Sequence, residues 1–182
     1  RSIDLPFITN KDEESIVIGK TLGIKNFALS FAKSGTNVKM FRKLIGSDAF
    51  LISKIESLDG LLNRLDIINL SDAILIDRGD LSRDIEIENI PHTQEILITE
   101  ANRNSTEVFV ATNLLESMLE EKSPTRAEVS DVANALLDGV DGLVLAAETA
   151  IGKNPLLCVR MIKEIIMEYE SIESLDWKRY WR

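Results

Sequence analysis

Five short apolar runs, each separated from the next by a stretch of helical period, constrain the fold of this chain more than any other feature. The runs are FALSFA (27–32), FLISKIE (50–56), AILID (73–77), EVFVAT (107–112) and GLVLAAE (142–148). Helical spacing marks DEESIVIGKTLG (12–23), VKMFRKLIG (38–46), LLNRLDIINL (61–70), PHTQEILITEANRN (91–104) and TRAEVSDVANALLDG (125–139). Pro91 suits a first helical turn, Thr125 and Glu128 have the spacing of a capping box, and Gly139 suits a C-terminal stop. A last helix presents Leu156, Val159, Ile162, Ile166 and Tyr169 as a stripe expected to be buried. Strands alternating with helices imply right-handed crossovers and a parallel sheet. Runs this apolar fit a sheet covered on both faces. The fold class is therefore α/β.

The polar residues cluster at one end of the strands. In FLISKIE, the period of two puts Ile52, Lys54 and Glu56 on one face and Leu51, Ser53 and Ile55 on the other. Lys54, Glu56, Asp77, Asp80, Thr112 and Glu148 all fall at or just past a strand's C-terminal end. Ligands bind at that edge both in open doubly wound sheets and in (β/α)8 barrels. Neither a glycine-rich dinucleotide fingerprint nor a Walker-type loop is present, so a barrel-like arrangement leads. Glu56 and Asp80 are hard oxygen ligands suited to Mg2+ or Mn2+, and Lys54 beside them can stabilise charge on a bound oxyanion or phosphoryl group. The turn at Arg78, Gly79 and Asp80 offers backbone N–H groups, with Gly79 allowing close approach, and Thr112 offers a hydroxyl.

Composition excludes several classes. A chain of 182 residues that is 45% hydrophobic fits one soluble globular domain. No apolar run reaches the length of a membrane span, and no secretory signal opens the chain. A net charge of −9 argues against nucleic acid or acidic membranes as partners. The single cysteine, Cys158, excludes an internal disulfide and a thiolate metal cluster and reads as core packing; the default compartment is cytoplasmic. His92, at a helix start, reads as a surface residue. Arg1 in place of Met raises the expectation of a piece of a longer chain.

The order of motifs then becomes specific. LP…KD (5–12), ISKIE (52–56), RGDL (78–81), ATNLLESM (111–118), PTRAEVSDVANALLDGVD (124–141) and ETA (148–150) resemble the second half of the pyruvate kinase barrel, over residues 3 to 167. The long PTRAE…SDVANA block is the most specific part. The resemblance implies a partial (β/α)8 TIM-type barrel, about five βα units corresponding to strands four to eight. The domain is expected over 1–172, and the residues at 173–182 read as an aromatic and basic tail. The resemblance also implies a phosphoenolpyruvate or pyruvate site. Lys54 would be the catalytic lysine at the transferring phosphoryl group, Glu56 and Asp80 the divalent-metal ligands, and Thr112 the threonine near the pyruvate methyl carbon. The backbone of Arg78, Gly79 and Asp80 would lie near the substrate carboxylate.

Departures from the family qualify this. The first three barrel strands, an arginine, the K+-binding residues, the lid domain and the C-terminal regulatory domain are not expected in this chain. ARGDLG of the family reads DRGDLS here, which puts Asp77 at the site as a further ligand, a repelling charge or drift. ATQ reads ATN, SGET reads AAET (146–149), and GKPV reads STEV (105–108). The resulting expectation is a phosphotransferase-related site that needs a missing segment, a complementing chain or a homo-oligomer to complete the sheet, because bare strand edges are rarely left exposed; the alternative is that SIDLPFIT (2–9) covers one edge. The alternatives are an inactive binding or structural module derived from pyruvate kinase and, by fold-level analogy, a Mg-dependent pyruvate-enolate lyase or aldolase.

Overall fold

The computed structural model describes residues 7–173. Helix α1 (Asn10–Thr21) leads into strand β1 (Asn26–Leu29), α2 (Gly35–Ile45) and β2 (Phe50–Ile55). Two short helices, α3 (Leu58–Leu62) and α4 (Arg64–Leu70), precede β3 (Ala73–Asp77) and the one-turn α5 (Arg78–Leu81). Next come α6 (Ile90–Arg103), β4 (Glu107–Ala111), α7 (Arg126–Asp138), β5 (Gly142–Val144), α8 (Ala147–Ala150) and α9 (Pro155–Glu173). The strands form one parallel sheet in the order β1-β2-β3-β4-β5. Consecutive order with every crossover helix on one side is the geometry of an unclosed barrel segment.

The two faces of this sheet differ, which corrects the expectation of cover on both. Leu51, Ser53, Ile55, Ile74, Ile76, Val108 and Val110 are fully buried against the helices. Ser53 tolerates that position because its hydroxyl bonds Ser71 Oγ at 2.7 Å. On the inner face, Ile52, Lys54, Leu75, Phe109 and Val144 are only half-buried, and Ala28 is exposed. Five strands cannot curl far enough to enclose their own interior, so among the described residues nothing fills the face that a whole barrel would fill.

Local signals explain the helix ends. Thr125 and Glu128 form the expected capping box of α7, and Gly139 closes it at φ 93°. Thr9 and Asp12 make the same device at α1. The expected helix over 61–70 is instead divided at Asn63. The stripe expected on α9 is rotated: Cys158, Ile162 and Ile165 enter the core, while Leu156 and Val159 are exposed. Apolar residues around most of that helix allow several registers, and packing on α7 and α8 selects one.

At the N-terminal edge of the sheet, aspartates that precede strands tie the neighbouring strand. Asp72 accepts the Leu51 N–H at 2.6 Å, and Asp141 accepts that of Val108 at 2.8 Å. These bonds serve stability, at the face where a barrel places it. The tail at 175–182 and positions 2–6 of SIDLPFIT lie outside the described residues.

Candidate functional site

Every expected site residue lies at the C-terminal edge of β2, β3 and β4. Lys54 projects from the inner face of β2, and Glu56 follows the strand end with only 2% exposure. Lys54 Nζ lies 2.5 Å from Glu56 Oε1 and 3.2 Å from Asp77 Oδ2. The other oxygen of Asp77 accepts the Thr112 hydroxyl at 2.6 Å. Glu56 Oε2 accepts the backbone N–H of Phe31 at 2.5 Å. Ligand oxygens of Glu56, Asp77 and Asp80 fall within 4.8 Å of one another. Such a spacing of carboxylate oxygens fits a hard divalent ion.

Charge and burial oppose each other here. Burial would pull the Lys54 ammonium down, but the Glu56 and Asp77 carboxylates hold it above the ordinary lysine value. Burial would likewise push Asp77 up, yet the Thr112 hydroxyl and the Lys54 ammonium keep it below the ordinary aspartate value. Both groups are therefore charged at neutral pH.

Arg78 has a different place from its backbone. Its buried guanidinium donates to Thr112 O at 2.8 Å, Asn113 O at 3.0 Å and Asp131 Oδ2 at 2.6 Å. Thr112 and Asn113 have φ of 76° and 57°, which is costly for non-glycine residues and most of all for a β-branched one. Arg78 thus fixes a strained pair of residues whose first member carries the site hydroxyl. Gly79 is the complementary element: a Cβ there would lie 2.7 Å from Thr112 Cγ2. Glu148, also 2% exposed, accepts the N–H groups of Leu115 and Ala146 and joins the loop after β4 to the end of β5.

Residues 1–159 match the family described as pyruvate kinase, barrel domain. The chain belongs to the pyruvate kinase family. It is 44% identical over 179 residues to the probable pyruvate kinase, cytosolic isozyme, of Arabidopsis thaliana, covering 96% of this chain and 36% of that protein. Identity to the pyruvate kinase of Thermoplasma acidophilum is 40% over 185 residues, covering 100% of this chain and 34% of that one. The Thermotoga maritima pyruvate kinase is 42% identical over 167 residues, 90% of this chain and 36% of its own. The chain thus spans about a third of the length of the curated relatives it matches.

Several contributors to this pyruvate kinase-type edge carry no local sequence signal. Phe31 donates its backbone N–H from a left-handed conformation, φ 50°, within what reads as a strand. Asp131 and Gln94, which hold Arg78, come from helices distant in sequence. His92 is exposed beside Glu95, and Cys158 is buried in the core, away from the site.

Proposed function

We propose that the C-terminal edge of β2, β3 and β4 is a divalent-cation and small-carboxylate site of the phosphoenolpyruvate or pyruvate type. Glu56 and Asp80 would hold Mg2+ or Mn2+, which supplies positive charge to the oxygens of a bound carboxylate ligand. Lys54 stabilises charge developing on a ligand oxygen, Thr112 faces the ligand's carbon end, and the backbone at Arg78, Gly79 and Asp80 faces its carboxylate. The observation that carries this reading is the convergence of the Glu56 and Asp80 carboxylates beside the Lys54 ammonium, at the strand edge that barrels use for chemistry.

Phosphoryl transfer rests on positioning and charge stabilisation from all sides of the transferred group. Five strands provide one wall of such a site. The active form is accordingly one in which a further segment, a complementing chain or a second copy covers the inner face. The compartment we assign is the cytoplasm, on the ground of relatives named as cytosolic isozymes. No helix among the described residues is long and apolar enough to cross a membrane. A second reading, an inactive binding module, draws on Asp77, a third carboxylate against the only lysine of the site.

Calorimetric titration of Mg2+ and Mn2+, with and without oxalate, on wild type and Glu56→Ala tests the site. Metal-dependent oxalate binding that disappears in the variant is expected. A folded protein that binds neither, or whose metal binding ignores Glu56→Ala, sinks the reading.

A further inference from the structure

Asp77 sits between the two side chains that the proposed reading assigns to a ligand. One carboxylate oxygen is 3.2 Å from Lys54 Nζ, and the other takes the only proton of the Thr112 hydroxyl at 2.6 Å. Lys54 has three N–H donors, and Glu56 at 2.5 Å engages it as well. Lys54 stands against Glu56, Asp77 and Asp80, one positive charge against three negative, a formal sum of −2. A divalent cation brings that sum to zero, whereas with an uncharged residue at position 77 it would be +1. The sum leaves out the neighbouring arginines, one held by partners outside the cluster and one in solvent, where water screens it. Arg78 is committed to Thr112, Asn113, Gln94 and Asp131, and Arg83 reaches Asp80 at 3.2 Å from an exposed position.

We propose that Asp77 is a specificity-determining residue that acts as an internal anion, occupying the Thr112 hydroxyl and one N–H donor of Lys54 and weakening binding with each negative charge a ligand adds. The inference rests on the metal-and-carboxylate reading above and refines its ligand class. A singly charged 2-oxo acid meets a site of zero net charge once a divalent ion is present. A phosphorylated carboxylate brings two further charges against a carboxylate that already holds the Thr112 hydroxyl and one of the three Lys54 donors. Like charges at contact distance in a partly buried setting weaken binding by at least about tenfold.

The test titrates pyruvate, oxalate and phosphoenolpyruvate into wild type, Asp77→Asn and Asp77→Ala, each with and without Mn2+. Asparagine keeps the size of the side chain and an acceptor for Thr112 while removing the charge. Alanine is the residue of the resembled motif, and it provides a second variant if the first does not fold. The expected result is a gain in affinity graded by ligand charge, small for pyruvate and at least about tenfold for phosphoenolpyruvate. A purely structural role for Asp77 would not produce that grading. Unchanged affinities, or an equal change for all three ligands, overturn the proposal. Glu56→Ala separates the two levels: metal binding insensitive to it removes the metal reading. The metal-free comparison of Asp77→Asn with wild type then still decides whether Asp77 repels anions from Lys54.

Discussion

Thr112 Cγ2 occupies the space that a side chain at Gly79 would need, 2.7 Å from the position of its Cβ. Two backbone segments of the site, the turn after β3 and the end of β4, therefore approach as closely as they do only because residue 79 is glycine. Gly79→Ala is expected to destabilise the chain by about 1–3 kcal/mol in urea denaturation through overpacking. Thr112→Ser removes the methyl and keeps the hydroxyl, so the double variant should recover much of that loss. Simple additivity of the two single changes would show that the contact is not what requires glycine.

Arg78 should matter more for order than for charge. Arg78→Lys leaves a single donor head where a planar fork now serves two carbonyls and Asp131. A loss of about 2 kcal/mol in stability is expected from the unpaired groups. Faster amide exchange at Asn113 and Leu114 should accompany it, since Thr112 and Asn113 lose the support for their positive φ. Protection unchanged at those amides would assign their conformation to some other support.

Glu128 provides a pH dependence away from the site. Burial pushes its carboxyl up, but the Ser117 hydroxyl and N–H, together with Thr125, hold it below the ordinary glutamate value of 4.5. A lowered folded-state pKa means stability that is present above the unfolded value and lost as pH falls through the folded one. Wild type should thus lose stability below about pH 4.5 more steeply than Glu128→Gln, in thermal melts across pH 3 to 6. Parallel curves for the two proteins would contradict this.

The half-buried inner face should govern association. If a second copy covers it, Leu75→Glu, on that face, will shift the sedimentation of the purified chain toward monomer without loss of helicity. Ile74→Glu, on the helix-covered face where the side chain is fully buried, should instead unfold the protein. A wild type already monomeric at high concentration would argue against self-association and leave a different segment as the cover.

Strand existence was legible in the apolar runs, because a parallel sheet needs nearly continuous hydrophobic strands, whereas the consecutive strand order was not, since the same runs fit an open doubly wound sheet. Strand ends were not. FALSFA reads as six strand residues, yet β1 stops at Leu29 because Phe31 turns into a left-handed conformation to offer its amide to Glu56. GLVLAAE likewise yields a strand of only three residues before its glutamate enters α8. The placement of Lys54 and Glu56 at a strand end followed from period-two reasoning. What Asp77 binds did not, since its partners come from two other strands and the sequence carries no record of their distance. Arg78 shows the same limit: its motif marks a turn, while the destination of its guanidinium depends on Asp131, far along the chain.

The consecutive strand order has one more consequence, for how the chain comes apart. Among the described residues, each strand pairs only with the strands before and after it, as in a linear array of repeats, and none of them closes the ends into a ring. Cooperativity in such an array is a nearest-neighbour property, so the ends fray before the middle. β1 and β5 each have one partner strand, whereas β3 has two and is flanked by strands that also have two. Amide exchange should then be slowest at β3 and progressively faster toward both termini. In that arrangement the carboxylate at position 77 and its turn belong to the last part of the molecule to melt.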